Sequence, residues 1–296
     1  MKTVGVFAAL LAAAAAQDGG YDENLALYFV DFAAASYCSG SIGHGVSDWS
    51  CKACKLHPGV EAIEFHENSH NINGYVAYDP ATDYIMLVFA GPDPLSYKNY
   101  WDEMVILQQK YDSCPGCKVH TGFYKSFVGA EDKVLYAWDI LRKSHPEAKT
   151  AVVGHSFGAA LAVHGAIALK EKREEHLDLL YNFGQPRVGN QKFASWYNET
   201  ITDGKQFRIT HHKDPVPQMP PAAFGFHHES TEVYYDKFND DYKVCDGTGE
   251  DPECSNQWLL NGNWRDHLTY LGEDFVAQYM TCKLFTVDED DVRAAE

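Results

Sequence analysis

Positive charge is scarce in this chain: 24 Lys and Arg stand against 42 Asp and Glu, a formal net charge of −18 over 296 residues. A protein that neutralises nucleic-acid phosphates, or that is drawn electrostatically to an anionic membrane, needs the opposite balance. Neither partner is expected. Past its first residues the chain has no segment with the length and apolarity of a membrane span, so no integral membrane segment is predicted. Internal repeats are missing, as is any linker that would divide the chain. At 45% hydrophobic and 14% aromatic residues, one large core is affordable, and residues 17–296 are expected to form a single domain.

What is there begins with MKTVGVFAALLAAAAAQ. A lysine, an apolar run too short to cross a bilayer, and small residues at Ala14 and Ala16 predict a signal peptide over residues 1–16. The expected location is secreted, extracellular. Export makes the eight cysteines candidates for disulfides. Their spacing pairs Cys51 with Cys54, Cys114 with Cys117 and Cys245 with Cys254, leaving Cys38 and Cys282, although eight cysteines permit about 105 pairings. The competing reading of the two C-x-x-C units is a zinc or redox site; their separation and the exported context weigh against it. Asn198-Glu-Thr200 is the one evident glycosylation sequon, and Asp288 to Glu296 reads as a solvated acidic tail.

A helix is predicted over Glu23 to Ser36, then strands over Val60 to His66, Ile72 to Tyr78 and Tyr84 to Phe89. YDPATDY between the last two has the composition of a hairpin turn, so those strands should be antiparallel neighbours. From Phe123 to Ser144, the spacing of Phe127, Val134, Leu135, Trp138 and Leu141 marks one buried helical face, ended before Pro146. Strands then alternate with helices: KTAVVG with Phe157 to Lys172, LDLLYNFG with Asn190 to Tyr197, and QFRITHH before a proline-rich loop. That alternation predicts parallel crossovers and an α/β fold.

Gly154-His155-Ser156-Phe157-Gly158 matches G-x-S-x-G, between an apolar strand and a small-residue helix. That is the context of a nucleophile elbow, where glycines let strand and helix backbones meet. A serine hydroxyl needs a base to take its proton and an acid to orient the base. In elbow enzymes those partners follow in the order Ser, Asp, His. Asp214 comes directly after a predicted strand, within a proline-stiffened loop. Among the later histidines, His267 near the C-terminus is the expected base. His227 and His228, close to the strand EVYY, are expected to pack or hydrogen-bond, and His211 and His212 to be structural.

The run of VHTGF (119–123), GHSFGAALA (154–162), YNFGQPRVGN (181–190), DPVPQMPP (214–221) and DHLTYLG (266–272) resembles the fungal-type class 3 lipases, which include feruloyl esterases. The motifs occur in order over most of the chain. The resemblance implies an α/β-hydrolase fold with a mixed, mostly parallel central sheet and flanking helices. It also implies no metal or other cofactor, a disulfide clamp like that suggested by Cys38 and Cys282, and the triad Ser156, Asp214 and His267. A lid is implied too, and Leu95, Tyr97, Tyr100 and Trp101 are expected to form its apolar face.

One position departs from the family pattern. After the third strand such lipases read F-R/S/A-G-S/T, whereas here FAGPDP places Pro92 where the hydroxyl residue belongs. The oxyanion of acyl transfer is stabilised by preorganised N–H and O–H donors. The N–H of Phe157 is the first expected donor; Pro92 has neither an N–H nor a hydroxyl. The N–H of Asp93 is the candidate replacement. The expected function is therefore hydrolysis of lipid acyl esters at a lipid–water interface, foremost of triacylglycerol. Feruloyl or other small esters are the alternative substrates, and a lipid-binding protein with weakened turnover is the alternative of another class.

Overall fold

The computed structural model describes residues 20–41, 44–201 and 205–284; the expected signal peptide and the acidic tail lie outside the described residues. At its centre is one mixed sheet of eight strands. In spatial order these are β1 (Glu61–Glu67), β2 (Ile72–Asp79), β3 (Tyr84–Phe89), β6 (Lys149–His155), β7 (Leu179–Phe183), β8 (Gln206–His211), β9 (Glu232–Tyr235) and β10 (Tyr242–Val244). Two short pairs stand apart, β4 (Gln108–Lys110) with β5 (Lys118–His120), and β11 (Thr269–Tyr270) with β12 (Glu273–Asp274). The helices are α1 (Glu23–Ala35), α2 (Tyr97–Asp102), α3 (Thr121–Ser144), α4 (Phe157–Arg173), α5 (Gln191–Thr200), α6 (Trp264–His267) and α7 (Phe275–Leu284).

The expected hairpin is present: β2 pairs antiparallel with β3, Asp79 opposite Tyr84. From β3 through β6, β7 and β8 to β9 every pairing is parallel, as the alternation of strands and helices predicted. The run Tyr84–Phe89 is buried at all positions because helices cover both faces of the sheet. Side chains alternate between the faces: Ile85, Leu87 and Phe89 join a core under α3 and α4, whereas Tyr84, Met86 and Val88 join a second core under α1 and α7.

Helix boundaries differ from the expected ones by one to three residues, with one informative case. Helix α3 starts at Thr121 rather than Phe123 because His120 caps it, its Nδ1 accepting from the Phe123 N–H at 3.2 Å. Burial pushes the His120 imidazole down to about 4, which keeps that nitrogen an acceptor.

All four expected disulfides are formed. Cys51–Cys54 and Cys114–Cys117 are each closed within their own C-x-x-C unit, so neither offers the thiolates of a zinc site. Cys38–Cys282, with Cα atoms 5.4 Å apart, joins the turn after α1 to α7 across 244 residues of chain. Asn198 lies in α5, its Nδ2 donating to the Ser230 hydroxyl at 2.9 Å and its Oδ1 accepting from Gln206 at 2.6 Å.

Candidate active site

Strand β6 ends and α4 begins with a single residue between them, and that residue is Ser156, at φ 61° and ψ −130°. A non-glycine residue adopts this backbone only when its surroundings impose it. Here the Ser156 N–H donates to the Phe183 carbonyl of β7 at 3.0 Å, and the turn is squeezed between neighbouring backbones. A Cβ on Gly154 would meet Ala159 Cα at 2.6 Å, and one on Gly158 would meet the Ala90 carbonyl at 2.6 Å. The glycines of G-x-S-x-G are therefore required by close approach on both sides of the serine.

The structure brings the three expected side chains together. His267 Nε2 lies 2.8 Å from Ser156 Oγ, and His267 Nδ1 lies 2.8 Å from Asp214 Oδ2. All three are buried, at 1%, 0% and 2% exposure for Ser156, His267 and Asp214. Asp214 comes from the turn after β8, where its Oδ1 accepts from the Val216 N–H at 2.8 Å. His267 ends α6, a one-turn helix capped by Asn263. Its neighbour Asp266 anchors the loop by accepting from His212 at 2.8 Å and from the Lys213 N–H at 3.2 Å. With Nδ1–H donated to an acceptor-only carboxylate, Nε2 turns a lone pair toward the serine hydroxyl. Such an arrangement can pass a proton from a serine hydroxyl to an imidazole as the oxygen attacks a carbonyl carbon.

Two contributors escaped the sequence reading. The Tyr270 hydroxyl donates to Asp214 Oδ2, the same oxygen that His267 uses. His155, the variable residue of G-x-S-x-G, places Nε2 2.8 Å from the His267 carbonyl and Nδ1 2.5 Å from the Tyr37 hydroxyl. Burial holds its imidazole well below the usual range, hence neutral. The sole available signal was position: Tyr270 follows His267 by three residues and His155 adjoins Ser156. The remaining histidines are structural, as expected. His211 contacts the Asp266 carbonyl at 2.9 Å, His228 donates to the Pro217 carbonyl at 2.7 Å, and His227 lies 3.0 Å from the Thr248 carbonyl.

Helix α2 lies over this site. The Tyr97 ring stands 5.9 Å from that of His267 and 5.4 Å from that of Trp264, and Tyr100 stands 5.3 Å from Phe157. Trp101 is buried next to Phe123. Leu95 departs from the expected face: it precedes the helix and is 61% exposed, because the Asp93–Ser96 turn directs it outward. Asp93 Oδ1 accepts from the Leu95 N–H at 2.8 Å, and Oδ2 from the Tyr279 hydroxyl at 3.1 Å. Its carboxylate is thus held by α7. Phe157 is the first residue of the 17-residue α4, where the leading N–H groups have no partner within the helix.

The family model for lipase (class 3) matches residues 86–224, from β3 to the loop after Asp214. The chain is 32% identical over 256 residues to a lipase of Rhizomucor miehei, covering 84% of this chain and 68% of that one. It is 31% identical to secreted mono- and diacylglycerol lipase 1 of Fusarium solani, over 74% of this chain and 68% of the other. Among solved structures it is similar, with a TM-score of 0.75 and 30% identity, to a triacylglycerol lipase whose catalytic centre is a serine protease triad; the match covers 86% of this chain and 96% of that one. A serine elbow on a mostly parallel sheet and this identity over most of the chain agree: the protein belongs to the class 3 lipases and is a serine ester hydrolase with the α/β-hydrolase fold.

Proposed function

We propose that the protein is a secreted acylglycerol lipase in which Ser156 is the nucleophile, His267 the general base and then acid, and Asp214 the residue that orients it. The hydrogen-bonded chain from Ser156 Oγ through His267 to Asp214 Oδ2, with both separations 2.8 Å, carries this reading. In the first half-reaction Ser156 Oγ bonds to the acyl carbon, its proton passes to Nε2, and the leaving alcohol departs with that proton. Water then repeats the sequence and releases the fatty acid. Phe157 N–H at the start of α4 serves as one oxyanion donor, helped by the positive end of the helix dipole. Asp93 N–H serves as the second, in place of the missing donor at Pro92.

Lipid rather than a soluble ester is favoured by what surrounds the site. Tyr97, Tyr100 and Trp101 form the underside of α2, and beside it runs a cleft of ≈ 400 Å³ with Tyr100, Met104, Val105 and Leu107 on its lining beside polar residues such as Glu103 and His120. Val105 and Leu107 on that lining are exposed, as is Leu95 ahead of α2. An apolar underside covers the serine in water and meets lipid when the segment swings away. The relative from Fusarium solani is named as secreted; for this chain, exported protein should begin at Gln17 on N-terminal sequencing.

A panel of emulsified triacylglycerol, diacylglycerol, a feruloyl ester and a short soluble ester tests the substrate. Activity should rise sharply above the concentration at which acylglycerol forms an interface. Preference for the feruloyl ester with no such rise would replace lipase by feruloyl esterase, and absence of all hydrolysis and of labelling by a fluorophosphonate would leave only a binding protein. Pro92→Thr tests the oxyanion assignment. One such donor is worth about 10² to 10³ in kcat, so a missing donor predicts a gain approaching that range with KM unchanged. No gain means that Asp93 N–H already fills the place.

A further inference from the structure

Pro92 gives the turn after β3 no amide hydrogen and no polar side chain, so this turn cannot tie itself down at its middle residue. It is gripped instead from both sides by tyrosine hydroxyls. On one side, Gly91 packs directly against the Tyr37 hydroxyl. A Cβ on Gly91 would overlap that oxygen and approach Ser156 Cβ to 3.1 Å. On the other side, the Tyr279 hydroxyl donates to Asp93 Oδ2 at 3.1 Å, while Asp93 Oδ1 and carbonyl close the next turn through Leu95 and Ser96. Between the two tyrosines is a cleft of ≈ 180 Å³, also lined by Asn73, Gly91 and Asp93. The two hydroxyls flank this cleft behind the turn.

The hydrogen-bond directions can be assigned. The His267 carbonyl can only accept, so His155 Nε2 carries the hydrogen in the 2.8 Å contact between them. A neutral ring then has a bare Nδ1, and the Tyr37 hydroxyl must donate to it. Tyr37 thus joins the Gly91 turn to the backbone of the catalytic base through one imidazole. The two tyrosines are also linked covalently through their elements. Tyr37 adjoins Cys38, and Tyr279 precedes Cys282 by one helical turn, in the two segments that the Cys38–Cys282 disulfide joins.

We propose that Tyr37 and Tyr279 are positioning residues that hold the Gly91–Asp93 turn against Ser156, and that the Cys38–Cys282 disulfide keeps both hydroxyls in register with it. The proposal rests on this turn supplying the second oxyanion donor. Neither tyrosine touches substrate; each acts through the turn. A small displacement of an oxyanion donor lowers the rate without altering how the ground-state ester is held.

Tyr37→Phe and Tyr279→Phe, measured on a soluble ester, should each lower kcat about 10- to 100-fold, with KM within about twofold and Tm nearly unchanged. Affinity for a boronic-acid transition-state analogue should fall by the same factor as kcat. Asp93→Ala, which also removes the acceptor for the Leu95 N–H, should lower kcat at least as much as Tyr279→Phe, and adding Tyr279→Phe to it should cost no more than Asp93→Ala alone. Unchanged kcat in both tyrosine variants overturns the proposal. So does a loss of kcat without a matching loss of analogue affinity. Ser156→Ala separates the two levels: hydrolysis that survives it overturns the triad itself, whereas an inactive Ser156→Ala beside fully active tyrosine variants overturns only the positioning role.

Discussion

Ser156→Ala and His267→Ala should each reduce kcat for ester hydrolysis by about 10⁶, and combining them should reduce it no further, because serine and base act as one unit. Both residues are buried within a single hydrogen-bonded chain, so neither can be bypassed by a water reaching the other. Asp214→Asn should cost less, about 10⁴. An asparagine amide offers hydrogens where the carboxylate offered only acceptors. If its NH₂ faces His267, the ring is driven to the tautomer with hydrogen on Nε2, which points at Ser156. The Tyr270 hydroxyl adds a preference in the opposite sense, since it donates to the same oxygen and so favours the amide carbonyl there. Tyr270→Phe combined with Asp214→Asn should therefore be more damaging than Asp214→Asn alone. Stopped-flow or single-turnover kinetics on a chromogenic ester reads all five variants. A drop of only tenfold for Ser156→Ala would refute its role as nucleophile.

Removing the Cys38–Cys282 disulfide by Cys38→Ala with Cys282→Ala should lower stability by about 5 kcal/mol, since the bond closes a loop of 244 residues. Proteins of ordinary size are stable by only about 5–15 kcal/mol, so this one bond is a large share. The expected fall in Tm is about 10–20 °C. Removing Cys51–Cys54, which closes a loop of sequence separation 3, should cost only about 1–2 kcal/mol on the same loop-entropy account. Calorimetry on the two double variants decides the matter: equal losses would mean that local packing, not chain entropy, sets the value of these bonds. The long-range variant should also lose kcat at temperatures where it is still folded, because it frees the segments that carry Tyr37 and Tyr279.

The central strands were readable in sequence because their hydrophobic runs are long and bounded by turns, and Tyr84–Phe89 and Lys149–His155 stand where expected. The edges were not. Strand β10 has three half-buried residues and pairs only with β9, so no periodicity could announce it. Ser156 was legible because an elbow demands a local pattern, glycines flanking a serine between strand and helix. Asp214 was legible through its position after a strand, and His267 through chain order and its place near the C-terminus.

Tyr37, His155, Tyr270 and Tyr279 were not, for a different reason. Each acts by a hydrogen bond to a partner distant in sequence, and an isolated tyrosine or histidine looks the same whether it packs or positions. Pro92 shows the division most clearly. The sequence by itself determined that this turn lacks a donor, because proline has no amide hydrogen in any conformation. Only the tertiary structure decided what holds the turn in place, because two hydroxyls from opposite ends of the chain reach it once Cys38 and Cys282 have met.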